Sequence, residues 1–75
     1  MDQIILSKII KFHRDKTKCN IERVFLINED SYKRDFFSNS LILNYNEDTI
    51  EISDKNNNII VFPIHEIKVI KEVNI

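Results

Sequence analysis

Between Ile50 and Ile70 the apolar and polar positions alternate and break in a way that predicts three short extended segments. Ile50 and Ile52 alternate with Glu51 and Ser53, the polar run Asp54-Lys55-Asn56-Asn57-Asn58 interrupts them, and Ile59-Ile60-Val61-Phe62 resumes the apolar pattern. This is the signature of a hairpin. Pro63 has no amide hydrogen to give to a ladder and disfavours a helical Phe62, so the strand ends there. A short turn through Ile64-His65-Glu66 comes next, and Ile67, Val69 and Lys71 open a last extended piece.

The earlier chain reads by the same rule. Leu6, Ile9, Ile10 and His13 stand at offsets 0, 3, 4 and 7 among Ser7, Lys8, Lys11 and Arg14, which predicts an amphipathic helix over residues 2–13, with a strand as the alternative because β-branched isoleucine is common there. Asp2 caps its first turn and the basic residues lie toward its end, where they suit the helix dipole. Residues 14–20 read as a basic connecting loop. Val24-Phe25-Leu26-Ile27 is continuously apolar, which predicts a central strand over 21–27 with both faces covered. Residues 28–34 read as a polar loop, and Phe36-Phe37 as core or as a surface for a partner. Leu41 to Tyr45 and Thr49 to Ser53 form a second hairpin about Asn46-Glu47-Asp48. The expected fold is α+β: an N-terminal helix packed on a small, strongly bent antiparallel sheet or barrel of about five strands in meander order.

Composition narrows the chemistry. The 75 residues make a single small domain, 1–75, and a chain of this size buries only roughly 60–65% of its unfolded surface. There is no glycine, so positive-φ positions fall to asparagine, with Asn46, Asn56, Asn57 and Asn58 the expected substitutes. A net charge of −1 gives the whole chain no strong pull on nucleic acid or an anionic membrane. Cys19 is the only cysteine, which excludes an internal disulfide and any zinc-type spacing and fits a reduced, cytoplasmic setting. Residues 4–10 are too short and too interrupted for a membrane helix or a secretory signal. Without glycine the phosphate-cradling loops are excluded, and Ser38, Ser40 and Cys19 have no base at motif spacing, so no enzyme, cofactor or metal is expected.

Three segments carry a family resemblance: L-S-K-I-I-K-F-H-R-D at Leu6 to Asp15, I-E-R-V-F-L-I-N at Ile21 to Asn28 and F-P-I-H-E-I at Phe62 to Ile67. Their order resembles the RNA cyclic group end recognition domain family. The resemblance implies an N-terminal helix leading to an aromatic–histidine pair, here Phe12-His13, and a terminal proline–histidine segment, here Pro63, His65 and Ile67. It also implies recognition of phosphate-terminated RNA ends. Three positions depart from that pattern: Ile27-Asn28 replaces a His-Arg pair, Glu66 replaces the arginine after the second histidine, and Arg14 replaces a proline. Glu66 puts a negative charge where a phosphate would sit.

These residues suggest two binding surfaces. The first is an RNA site formed by Phe12, His13, Arg14, Lys16, Lys18 and His65, in which the cationic groups meet a phosphate and Phe12 stacks on a base. The second is a protein-interaction surface, as in a small accessory subunit or inhibitor, offered by an edge strand or by Tyr32, Phe36 and Phe37. Each has a plain structural counterpart: a solvated basic loop for the first, ordinary core packing for the phenylalanines of the second. The acidic hairpin Glu47, Asp48, Glu51 and Asp54 repels RNA and attracts a basic protein surface.

Overall fold

The computed structural model describes residues 3–73. It contains α1 (Gln3–Asp15), β1 (Cys19–Asn28), β2 (Ser31–Tyr45), β3 (Thr49–Ser53), β4 (Ile59–Pro63), a single 3₁₀ turn (Ile64–Glu66) and β5 (Ile67–Glu72). All strand pairs are antiparallel, in the order β4-β3-β2-β1-β5. The first four strands form the expected meander. β5 leaves it, because Pro63 ends β4 and the 3₁₀ turn carries the chain across to the free side of β1. The sheet is strongly bent but is not closed into a barrel: β4 and β5 are its outermost strands, and the far parts of β1 and β2 each pair on one side only.

The bend is legible in β2. Fifteen residues at about 3.3 Å each would run nearly 50 Å if straight, yet the longest dimension of the molecule is 38 Å. Bending occurs where the register slips, between Cys19 and Ile21 opposite Ser40 and Phe37, and again between Ile42 and Asn44. At the first slip Asn39 takes φ 50°, and its N–H donates to the Asn20 side-chain oxygen at 3.1 Å. A bulge of this kind re-aims a strand.

Inside the bend lies one core of Ile9, Phe12, Cys19, Ile21, Ile42, Ile50, Ile52, Phe62, Ile64, Ile67 and Ile70. α1 covers it by packing on β2 and β5, and the Lys8 ammonium donates to the Ile70 carbonyl at 3.3 Å. The helical face differs from the predicted one. Ile9 and Phe12 are buried with Ile5 beside them, whereas Ile10 is exposed. The spacing of Leu6, Ile9, Ile10 and His13 found the helix but placed its buried stripe too far round. The helix stops at Lys16 in a left-handed conformation (φ 52°), where the Thr17 N–H reaches back to the Phe12 carbonyl at 2.9 Å. The expected cap, Asp2, lies outside the described residues.

Two more expectations are corrected. Residues 31–34 are not a loop but the first part of β2, so β1 and β2 continue together as a two-stranded ribbon beyond the rest of the sheet. The far half of β1 is not covered on both faces, since Leu26 and Ile27 are exposed. Of the four asparagines expected at positive φ, only Asn57 has it, alongside Asn39 and Lys16 among the described residues. Asn46 instead accepts the Asp48 and Thr49 N–H groups, each at 2.8 Å. Among the described residues no helix is long and apolar enough to cross a membrane.

Candidate interaction surface

Register decides which side chains share a face of the ribbon. From Ile21 opposite Phe37 to Leu26 opposite Tyr32 the β1–β2 pairing is unbroken. Side chains alternate along a strand, so Ile21, Arg23, Phe25, Lys33, Asp35 and Phe37 face inward, toward the core side. Glu22, Val24, Leu26, Tyr32, Arg34 and Phe36 face outward.

The inward face is anchored by Arg23. Its Nε lies 2.7 Å from Glu66 Oε1 and its Nη1 3.2 Å from Asp35 Oδ2, while its guanidinium stands 4.0 Å from the Phe25 ring centre and 5.0 Å from that of Phe62. Phe37 stacks on Phe62 with centroids 5.6 Å apart. This cluster ties the base of the ribbon to the 3₁₀ turn and to β4. It also explains Glu66: its carboxylate serves Arg23, a partner that the terminal motif alone did not identify.

The outward face has no such partners. Leu26, Tyr32 and Phe36 are 58%, 70% and 69% exposed, with the Arg34–Glu22 ion pair (3.4 Å) between the two aromatic positions. Of the sequence-derived protein-interaction residues, Tyr32 and Phe36 therefore share this exposed surface, whereas Phe37 belongs to the other face and is half-buried. Val24 and Leu26 escape a sequence-based reading as surface residues, because a continuous apolar run carries no alternation to show which side is wet.

Beside the ribbon the sheet has a gap. β5 pairs with β1 only from Cys19 to Arg23, where Ile67 is the last partner. Past that point the side of β1 away from β2 has no neighbouring strand among the described residues. A cleft of about 300 Å³ opens there, lined by Val24, Phe25, Leu26, Tyr32, His65 and Glu66. Residues of both faces of β1 line it, as befits a site at a strand's edge.

The basic candidates lie elsewhere or are engaged. Phe12 is only 5% exposed and belongs to the core, so its ring is not presented to a base. His13 packs edge-on against Tyr45, centroids 5.2 Å apart. Arg14 Nε meets Asp15 Oδ1 at 3.0 Å, an exposed pair whose hydrogen bond raises the arginine and lowers the carboxyl from their ordinary pKa values. Lys16 and Lys18 are exposed in the α1–β1 connection. His65 is exposed on the 3₁₀ turn, where it lines the cleft above and a second one of about 340 Å³ with Glu47, Asp48, Thr49 and Pro63. Neither cleft includes residues 12–18, and the groups around His65 are acidic. Among the described residues no three His, Cys, Asp or Glu side chains are grouped to hold a metal ion.

Comparison with family models, with curated proteins and with solved structures finds no match. The RNA-end reading accordingly rests on the sequence resemblance alone.

Proposed function

We propose that this chain is a non-enzymatic protein-binding module whose contact surface is the outward face of the β1–β2 ribbon. The observation that carries this reading is the exposure of Leu26, Tyr32 and Phe36 together on one face of a projecting, two-stranded element. Aromatic residues are among the side chains most enriched in the centres of protein interfaces. The placement of the basic residues supports the same choice over RNA, since Phe12 is core, Arg14 is held by Asp15 and His65 looks onto carboxylates.

The test is affinity capture from native cell extract with and without nuclease, identification of the retained protein, and reconstitution with that protein purified. Binding that survives nuclease, persists with pure components and drops at least about tenfold on Phe36→Asp supports the reading, a loss typical of an interface anchor. Capture that disappears with nuclease, or reconstituted binding indifferent to Phe36→Asp, overturns it.

A further inference from the structure

The gap beside β1 points to the kind of partner the ribbon takes. We infer that the edge of β1 from Val24 to Asn28 accepts an extended peptide as an added strand, apolar at alternate positions and basic at its carboxyl end. This deepens the module reading and rests on it.

The backbone of β1 is open along this edge. The strand is ten residues long, but its pairing with β5 stops at Arg23 because the chain turns away through Ile64–Glu66. Beyond it, alternate N–H and C=O groups on that side of Val24 to Asn28 face a vacant strand position in line with β5. Natural edges are protected by charge or proline. β5 carries Lys68, Lys71 and Glu72, whereas Val24-Phe25-Leu26-Ile27 has neither charge nor proline. Strand addition to such an edge takes its affinity from main-chain hydrogen bonds and its specificity from alternate side-chain pockets. The cleft offers Val24, Phe25, Leu26 and Tyr32 to such side chains, beside His65 and Glu66 at its polar end.

Charge then selects the residues at the far end of the peptide. An added strand antiparallel to β1 runs from beside Asn28 toward beside Val24 and arrives at His65 and Glu66. His65 also lines the second cleft, so the path continues onto Glu47 and Asp48. Among the described residues neither carboxylate has an ion-pair partner. Lysine or arginine at the carboxyl end of the peptide complements them, and their field speeds and orients the encounter.

The probe is a fluorescein-labelled peptide in which Val and Ile alternate with Thr over roughly five positions and two Lys close the chain, read by anisotropy. Saturable binding is expected. N-methylation of the probe at the alternate amides that face β1 weakens it about tenfold or more, since it removes those hydrogen-bond donors and the methyl groups also block the approach; methylation at the intervening amides weakens it less. Placing the lysines first weakens it. The Glu47→Gln, Asp48→Asn protein binds more weakly and with less dependence on salt. Because N-methylation leaves the protein untouched, this arm is immune to misfolding. The inference is overturned by absence of saturable binding at millimolar protein, by equal binding of the N-methylated probe, or by equal binding to the neutralised protein. It also falls if sedimentation shows a dimer that the probe does not dissociate, for then a second copy fills the edge. Failure here with a captured partner still lost on Phe36→Asp would leave the module reading standing; failure of both removes both.

Discussion

Removing Arg23 is the sharpest test of how the ribbon is held. Its side chain is 18% exposed and that of Glu66 16%, so the pair is largely shielded from water, and Asp35 completes it from β2. Breaking a buried ion pair by deleting one partner costs about 3–5 kcal/mol, because the surviving charge is left desolvated. The residual exposure here lowers that to about 2–3 kcal/mol, and two aromatic contacts add about 0.5–1 kcal/mol each before allowing for overlap. For Arg23→Ala the expected loss is thus about 3 kcal/mol, out of a total of roughly 4–11 kcal/mol for a domain of this length. At about 4–8 °C per kcal/mol, Tm should fall by roughly 12–24 °C. Arg23→Met keeps the aliphatic stem between the rings and should lose less. Adding Glu66→Gln to Arg23→Met should recover roughly 1 kcal/mol, because the more buried of the two carboxylates left without Arg23 is then neutral, and only the more exposed Asp35 stays unpaired. The chain has no tryptophan, so urea unfolding is best monitored by far-UV circular dichroism, with hydrogen exchange reporting the amides of residues 24–34. An Arg23→Ala protein within about 0.5 kcal/mol of the parent, the range of an ordinary surface substitution, would refute the anchoring role. So would ribbon amides that exchange no faster than before.

Neighbouring phenylalanines should behave oppositely. Phe36→Asp is expected to change stability by no more than about 0.5 kcal/mol, whereas Phe37→Asp, which replaces the ring stacked on Phe62, should cost about 3 kcal/mol or more; the two urea midpoints decide it. Ser40 is fully buried and its hydroxyl has no partner among the described residues, so Ser40→Ala should stabilise by about 1 kcal/mol in the same assay. The Cys19 thiol donates to the Ser40 carbonyl at 3.6 Å, and burial pushes its pKa up from 9.0 to about 11. Its contribution to stability is therefore complete below pH 9 and is lost as pH rises through 11. At neutral pH alkylation should be slow in buffer and fast in urea; rapid modification of the folded protein would contradict the burial. Asn39→Gly should be tolerated at φ 50°, whereas Asn39→Val should cost about 1–2 kcal/mol, measured by thermal melts of the two variants.

The sequence disclosed the half of the fold in which local chemistry and tertiary structure agree. Around Pro63 the missing amide, the change of period and the short apolar run from Ile59 to Phe62 all lead to one outcome, and the structure has the strand, the 3₁₀ turn and β5 at those positions. Residues 28–34 were opaque for the opposite reason. In β2 one face carries Lys33, Asp35 and Phe37 and the other Tyr32, Arg34 and Phe36, so neither looks apolar and the strand reads as loop. Arg23 hides the alternation in β1 in the same way, since its place between Phe25 and Phe62 depends on Asp35 and Glu66, 12 and 43 residues away. Helix α1 shows a milder failure. Isoleucine is frequent enough in residues 3–15 to satisfy two neighbouring stripes, and only contact with β2 and β5 selects Ile5, Ile9 and Phe12.

Folding alone does not account for the ribbon. A two-stranded hairpin by itself is marginal in water, and here its base is secured by the Arg23 cluster and the Phe37–Phe62 stack, all of which face inward. The outward residues Leu26, Tyr32 and Phe36 add little to that arrangement, because side chains this exposed recover only a small part of their transfer free energy. They carry a hazard instead, an uncharged strand edge next to apolar surface, which invites association with other strands. Polar residues at those three positions would keep the inward contacts and remove the hazard. Their presence is physically reasonable when the edge and the face beside it are occupied in the working state of the protein, and the neighbouring carboxylates of Glu47 and Asp48 narrow the occupant to one that brings positive charge.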